Sequence, residues 1–245
     1  MQMETSFKYI DENYKRIAYE IGEAKAKYRK PADEITFMAV TKTVAPEAVN
    51  HAIGCGIHVL GENRVQEYLS KKELYLPEAE VHMIGHLQTN KVKLIAPFVA
   101  LIHSADSERL IRVINDEAIR NGRVIDILLE IHVADEETKS GWTYDALLKY
   151  VKSGALAAMK GVRVRGVMGI ATYTSNEFRV RLDFELLQQY KKELEAYFDS
   201  SFDTLSMGMS DDYPLALDYG TTMVRIGSLI FGKRDYAAAE KEATV

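Results

Sequence analysis

Lys42 is the residue whose surroundings in the sequence point most directly to covalent chemistry. It ends an apolar run that begins at Ile35, and a breaker segment, 43–46, follows it directly. A run of this composition is typical of a strand that is buried on both faces. A lysine at the end of such a strand, partly withdrawn from water, loses proton affinity and becomes an amine nucleophile toward an aldehyde. Lys42 is therefore a candidate Schiff-base residue, and the alternative is a solvated lysine at a strand end.

A second group of residues, near the carboxyl terminus, could bind an anion. Ser210 directly precedes a predicted helix, so its hydroxyl and the neighbouring backbone N–H groups could hold a phosphate. Gly227 and Ser228 would offer N–H groups from the other side, although small polar loops of this kind also occur with a purely structural role. The acidic pair 211–212 is predicted to lie in the first turn of the helix, where carboxylates complement the dipole. Arg225 alternates with apolar neighbours on the last predicted strand, so it is either a cation inside the fold or a surface residue.

Histidines offer a third kind of chemistry, which is metal binding. The spacing of His82 and His86 crosses a predicted strand end and does not follow one face of a helix, so it is a weak zinc signal. His103 and His132 also lie near predicted strand ends. We predict that most of these histidines are hydrogen-bonded polar groups, and a metal-dependent enzyme is kept only as a remote alternative.

The elements that must position these residues alternate regularly between strand and helix. An amphipathic helix over 6–28 comes first, and the predicted strands span 35–42, 57–60, 81–84, 98–103, 124–133, 162–168, 204–207 and 223–226. Parallel neighbours need crossover helices, so this alternation predicts a parallel sheet. About eight units in a single domain, 1–245, favour a closed (β/α)8 TIM barrel over an open doubly wound sheet. The reactive groups would then collect at the carboxyl ends of the strands, and phosphate at the loops after the last two.

The extra N-terminal helix has a predicted place in this barrel. The segment after the last strand, 233–245, is short and polar, and it cannot cover the barrel well. We therefore expect helix 6–28 to lie beside the first strand, near the place where the end of the chain leaves the ring uncovered. Its apolar stripe would face the barrel.

Composition narrows the function classes. The formal net charge of −5 and the pI near 5.8 argue against a dedicated nucleic-acid or anionic-membrane surface, but allow a local basic pocket. The single cysteine, Cys55, excludes an intrachain disulfide and a Cys-rich zinc site. Charges run through the first twelve residues, so they do not form a secretory signal, and no stretch reaches the ~18 apolar residues of a membrane span. These features predict a cytoplasmic protein.

Five ordered segments resemble those of the pyridoxal phosphate homeostasis proteins, whose fold looks like the isolated barrel domain of alanine racemase. The segments are Ala39-Val40-Thr41-Lys42-Thr43, Gly61-Glu62-Asn63-Arg64-Val65-Gln66-Glu67, His82 to Lys91, Leu205 to Asp212, and Val224-Arg225-Ile226-Gly227. They span nearly the whole chain, and the last two together are highly specific. Thr41 stands where many members have serine, and Met83 stands where an aromatic residue is common.

The resemblance implies a cofactor and a role for each candidate residue. Lys42 would hold pyridoxal 5′-phosphate as a reversible Schiff base, and Arg225 would face the pyridine nitrogen. The cofactor phosphate would be bound by Ser210 and by the backbone at Gly227 and Ser228, while Asn63 and His86 would lie near the open face of the ring.

Besides the remote metal-dependent alternative, two functions that use the cofactor remain open at this point. The first is a monomeric protein without robust catalysis that holds the cofactor and delivers it to PLP-dependent apo-enzymes by exchange with another amine. The second is a PLP-dependent amino-acid racemase using Lys42 and a pocket residue such as His86. Alanine racemase-like enzymes take their second acid/base group, a tyrosine, from a C-terminal β-domain, and we expect no such domain in this chain. The fourteen tyrosines include no obvious replacement, so we expect the first function.

Overall fold

Eight parallel strands close into a barrel. The computed structural model describes residues 7–28 and 34–232. Within them each strand pairs with its sequence neighbours, and β8 pairs with β1. The strands are β1 Thr36–Val40, β2 Val59–Glu62, β3 Glu80–Met83, β4 Leu101–Ala105, β5 Ile125–Glu130, β6 Val162–Met168, β7 Thr204–Met209 and β8 Met223–Ile226. The predicted closed barrel is therefore confirmed, and the open sheet is excluded.

Helices connect the strands and form the outer layer. They are α1 Lys8–Tyr28, α2 Pro46–Gly54, α3 Val65–Lys71, α4 Val92–Ile95, α5 Glu108–Arg120, α6 Tyr144–Lys152, α7 Glu177–Leu194, α8 Tyr213–Asp218 and α9 Ser228–Phe231. Local signals explain some boundaries. Ser107 Oγ accepts from the N–H of Leu110 at 3.3 Å and caps α5, while Gly122, at φ +64°, follows the end of that helix. The four-residue α9 was not predicted.

Strand alternation separates two apolar layers. In β1, Phe37 and Ala39 pack outward against the helices, whereas Met38 belongs to a small cluster inside the barrel. The inner cluster consists of Met38, Leu101, Leu128, Met168 and Met223. Successive strand residues point to opposite faces, so these positions fix which residues of each strand line the interior.

The N-terminal helix α1 lies where the sequence predicted. Ile10, Ile17 and Ile21 are buried against the barrel, and the rings of Tyr14 and Phe37 on β1 have centroids 5.8 Å apart. The side-chain amide of Asn13 donates to the backbone oxygen of Ile230 in α9 at 3.1 Å. The helix therefore joins the beginning of the barrel to its end, and the predicted polar tail, 233–245, lies outside the described residues. None of the described helices has the length and apolarity needed to cross a membrane.

Candidate functional site

The backbone before Lys42 is anchored on the outer side of the barrel. Thr41 is fully buried, and its hydroxyl donates to Glu62 Oε1 at 2.7 Å. The hydroxyl of Tyr75 donates to the same oxygen at 2.7 Å, and burial raises the pKa of Glu62. Thr41 therefore points to the helical layer, and Lys42 follows it in the turn at the carboxyl end of β1.

The residue after Lys42 is held as well. Thr43 has a positive φ of 60°, and its N–H donates to the carboxylate of Glu67. Lys71 approaches the same carboxylate at 2.5 Å and the backbone oxygen of Thr41 at 3.5 Å. A threonine rarely adopts a positive φ, so the contacts on both sides must hold this turn in place. Lys42 thus emerges, half-buried, from a fixed piece of backbone.

Arg225 lies inside the barrel and is buried. Its guanidinium donates to Ser206 Oγ at 2.8 Å and to the backbone oxygen of Gly169 at 2.9 Å. Burial lowers the pKa of Arg225 to about 10, while the charges of Asp212 and Glu130 act in the opposite direction, so the side chain remains a cation at neutral pH. Of the two orientations that the sequence left open, the structure therefore has the interior one. Arg225 is in register with Met38 on β1, the strand that leads to Lys42.

Ser210 joins the loops that follow the last two strands. Its hydroxyl oxygen accepts from the N–H of Gly227 at 3.2 Å and, at 3.5 Å, from the N–H of Leu229. Gly227 is buried, whereas Ser228 begins α9 with an exposed side chain. One hydroxyl and two backbone N–H groups thus meet at one point of the mouth, and this donor set fits a phosphate.

The acidic pair beside Ser210 differs from the prediction in one respect. Helix α8 begins at Tyr213, so Asp212 is the N-cap residue and Asp211 precedes it; neither is in the first turn. Asp212 Oδ1 accepts from the N–H of Met209 at 2.6 Å, and Asp211 is exposed. This hydrogen bond turns the Asp212 carboxylate back toward β7. Burial raises its pKa, while the charge of Arg225 lowers it.

Asn63 and His86 lie on a cavity of ≈ 790 Å³ beside the mouth, together with Thr43, Arg64, Lys71 and Lys91. Asn63 Oδ1 is buried and has no hydrogen-bond partner within the described part of the chain. The side chain of His86 is 62% exposed, and its Nδ1 lies 3.1 Å from Asp106 Oδ2. Asn63 therefore offers an unsatisfied acceptor to a ligand, whereas His86 is a rim residue.

Glu130 is a site residue that the sequence analysis missed. It ends β5 on the inner face, two residues beyond Leu128 of the inner cluster. Burial and the charge of Asp106 raise its pKa to about 7, while the charge of Arg225 acts in the opposite direction. Its Oε2 has no hydrogen-bond partner among the described residues. The signal was available, because a carboxylate at the end of a buried strand is unusual.

The histidines considered for metal binding are each engaged in hydrogen bonds with other protein groups. His82 and His103 contact each other inside the barrel at 3.1 Å, and His82 also lies 2.9 Å from Glu80. His132 Nε2 lies 3.0 Å from the backbone oxygen of Glu136. Burial holds the pKa of His103 well below its usual value, with the charges of His82 and Arg225 acting in the same direction. These four histidines do not form a metal centre in the described structure.

Another cavity, of ≈ 570 Å³, opens at the opposite, amino-terminal end of the barrel. Its carboxylates are already engaged: Asp126 pairs with Arg163 at 2.7 Å and with Arg165 at 3.0 Å. The amine, the buried guanidinium and the anion donors all lie at the carboxyl end. We therefore place the candidate site at that end.

Comparison with known proteins gives a consistent picture. The family model for the alanine racemase N-terminal domain matches residues 13–235. The pyridoxal phosphate homeostasis protein of Aquifex aeolicus is 41% identical over 200 residues, which cover 81% of this chain and 87% of the relative. The protein of the same name from Escherichia coli is 35% identical over 234 residues, which cover 93% and 98%.

Solved structures extend the comparison. PipY of Synechococcus elongatus, determined with PLP bound, superimposes with a TM-score of 0.79 at 28% identity and covers 91% of this chain and 100% of PipY. Alanine racemase from Bartonella henselae, at 13% identity and a TM-score of 0.65, shares the fold; the match covers 93% of this chain and 61% of the racemase.

Proposed function

The chain belongs to the family of the pyridoxal phosphate homeostasis proteins and carries the alanine racemase N-terminal domain, and we propose that it binds pyridoxal 5′-phosphate at the carboxyl end of its barrel. In this role it takes part in maintaining the intracellular supply of the cofactor. The PLP-bound structure of PipY, which this chain matches over 91% of its length, supports the choice of ligand.

One observation carries the proposal. The strand that leads to Lys42 is paired with the strand that carries Arg225, and the loop after that second strand meets Ser210. An amine at the end of β1, a buried permanent cation on β8 and an anion-binding donor set on the loops after β7 and β8 therefore lie on three adjacent strands. Pyridoxal 5′-phosphate has the three complementary groups, which are an aldehyde, a ring nitrogen that can accept a hydrogen bond, and a phosphate.

Each residue then has a defined task. Lys42 attaches the cofactor covalently and reversibly through Nζ, and Ser210 with the backbone at Gly227 and Ser228 binds the phosphate. Arg225 would face the ring nitrogen, while Asn63 and His86 would lie toward the open face of the ring. The cofactor supplies an aldehyde that amines capture reversibly and, in enzymes, a sink for electrons. The permanent charge of Arg225 opposes protonation of the ring nitrogen, which weakens that sink and favours storage over catalysis.

The wider role follows from reversible attachment. An incoming amine can displace Lys42, so the cofactor can be passed on, and we propose PLP-dependent apo-enzymes as recipients. We further propose that the chain acts as a single-domain monomer, 1–245, in the cytoplasm. Sedimentation or light scattering of the loaded protein tests the monomer, and reactivation of an apo-enzyme by the loaded protein tests the transfer.

The attachment site is tested by reduction. The loaded protein is treated with borohydride and digested, and mass spectrometry locates the modified lysine. We expect the adduct on Lys42, its loss in Lys42→Ala, and its retention in Lys91→Ala, since Lys91 is another amine beside the same mouth. An undiminished adduct in Lys42→Ala contradicts the assignment.

A second measurement separates the carrier from the racemase. Alanine is incubated with the loaded protein in deuterated water, and exchange of the Cα proton is followed by NMR. A carrier gives no exchange above the background of the free cofactor. Exchange that requires Lys42 would identify an amino-acid racemase and overturn the proposed storage role.

A further inference from the structure

Three side chains with metal-binding atoms meet between α1 and α2, on the outside of the barrel. Asp11 Oδ1 lies 2.8 Å from His51 Nε2 and 2.9 Å from Cys55 Sγ. All three ligand atoms lie within 4.8 Å of one another. Among residues 7–28 and 34–232, no other group of three His, Cys, Asp or Glu side chains meets this criterion.

The three groups match the preferences of one class of ion. Zinc and related divalent transition metals take thiolate, imidazole and carboxylate ligands in tetrahedral sites. The side chains of Asp11 and His51 are 36% and 29% exposed, so water can reach a fourth position. Three protein ligands with one open position differ from a closed structural zinc site, which has four.

The backbone holds these side chains in place independently of any ion. His51 lies in the last turn of α2, and Cys55 directly follows the helix with a helical backbone conformation. The N–H of Cys55 donates to the backbone oxygen of His51 at 3.1 Å, so the two side chains, four residues apart, lie on the same side. Asp11 follows Ile10 on α1, whose fully buried side chain packs the helix against the barrel. The ring of Phe7 lies against the ring of His51, with centroids 5.4 Å apart. The ligand atoms are therefore brought together by the packing of the two helices.

We propose that Asp11, His51 and Cys55 bind one divalent transition-metal ion of the zinc class, which links the N-terminal helix to the first helix of the barrel. The thiol proton is released to solvent when the ion binds, and the sulfur coordinates as the thiolate. The site lies on the outer layer and is independent of the cofactor function proposed for the barrel mouth.

Cobalt is the probe of choice, since tetrahedral Co²⁺ with a thiolate ligand has a near-ultraviolet charge-transfer band and visible d–d bands. The full-length protein, purified without a histidine tag, is titrated with Co²⁺ and then with Zn²⁺. We expect one equivalent of Co²⁺ to produce both sets of bands and Zn²⁺ to remove them. Absence of a charge-transfer band in the wild-type protein overturns the proposal.

Single substitutions test which residues bind the cobalt ion. Cys55→Ser should lose the charge-transfer band, and His51→Ala should bind Co²⁺ at least tenfold more weakly. His58→Ala is the matched control, because His58 is an exposed histidine three residues after Cys55, directly before β2. The Co²⁺ titration of this variant should equal that of the wild type. If Cys55→Ser retains the band, or if His58→Ala loses it, the ion is bound elsewhere and the assignment is wrong.

Thermal unfolding gives a readout that does not depend on colour. An ion that binds the folded state raises the unfolding temperature through mass action. Zn²⁺ should raise it for the wild type and for His58→Ala but not for Cys55→Ser. Equal shifts in all three proteins would show that Zn²⁺ acts at another place.

Discussion

The guanidinium of Arg225 donates a hydrogen bond of 2.8 Å to the hydroxyl of Ser206 in the middle of the barrel. Ser206 is left with its own proton, which it can donate to His103 Nδ1 at 3.1 Å. The neutral ring of His103 then carries its proton on Nε2, facing His82 Nδ1, and His82 in turn faces Glu80. A directed row of hydrogen bonds thus runs through the barrel from Arg225 to its amino-terminal end.

Removing Ser206 should therefore cost stability. Ser206→Ala removes one of the two buried hydrogen-bond partners of Arg225 and one of the two of His103. We therefore expect the free energy of unfolding, measured in urea, to fall by about 1–3 kcal/mol. Ser104→Ala is the matched control. The hydroxyl of Ser104 is equally buried but has no partner within the described part of the chain, so its removal should be neutral or stabilising. Equal losses of unfolding free energy in the two variants would contradict the row of hydrogen bonds through Ser206.

Glu130 should make the stability of the cofactor-free protein depend on pH. Its pKa is raised from 4.5 to about 7 in the folded state, so the folded protein binds the proton more tightly than the unfolded chain. The contribution of Glu130 to the free energy of unfolding is fully present below pH 4.5 and is lost as the pH rises through 7. Glu130→Gln cannot titrate. The difference between the unfolding free energies of wild type and variant should therefore change across this window, by on the order of 3 kcal/mol at most. A constant difference from pH 4.5 to 8 would exclude a raised pKa.

The phosphate donors can be tested by comparing two ligands. Ser210→Ala removes a hydroxyl from the donor set, and loss of hydrogen bonding to a charged group costs roughly 1.5–3 kcal/mol. We expect pyridoxal 5′-phosphate to bind about ten- to a hundredfold more weakly, while pyridoxal, which lacks the phosphate, is unaffected. Ser228→Ala keeps the backbone N–H and should bind both as the wild type does. Equal weakening for both ligands would place the defect elsewhere in the site.

The N-terminal helix should contribute measurably to stability. Ile17 is fully buried, and Ile17→Ala removes buried apolar volume, so we expect a loss of about 2–4 kcal/mol in chemical denaturation. Tyr19 on the same helix is 67% exposed, and Tyr19→Ala should change the stability by less than about 0.5 kcal/mol. If both variants unfold as the wild type does, α1 does not pack on the barrel in solution.

The sequence predicted the parts of the structure that depend on local pattern. The helix cap at Ser107 and the strand that leads to Lys42 follow from periodicity and from neighbouring residues. The orientation of Arg225 does not, because an arginine between two apolar residues fits either face until the partner strands are known. Only the closed barrel places Ser206, nineteen residues away, and Gly169, fifty-six residues away, beside its guanidinium.

Burial depth explains what the sequence could not predict. The sequence marks Glu130 as an unusual carboxylate in an apolar strand, but its raised pKa arises from its burial in the closed barrel and from the charge of Asp106, which the sequence does not reveal. Similarly, the anchoring of Thr41 needs Glu62 and Tyr75, which lie on two other segments of the chain. The contact of Asp11 with α2 depends on how α1 docks, which helical periodicity alone does not specify.

The hydrogen bonds of the Thr41–Glu62–Tyr75 cluster lie in the helical layer, on the outer side of the barrel wall. Substitutions in the helical layer can therefore shift the backbone that carries Lys42, and with it the amine, without changing any residue of the proposed binding site. Variation among relatives at such remote positions could adjust how long the vitamin is retained, and surveys confined to the mouth would overlook it.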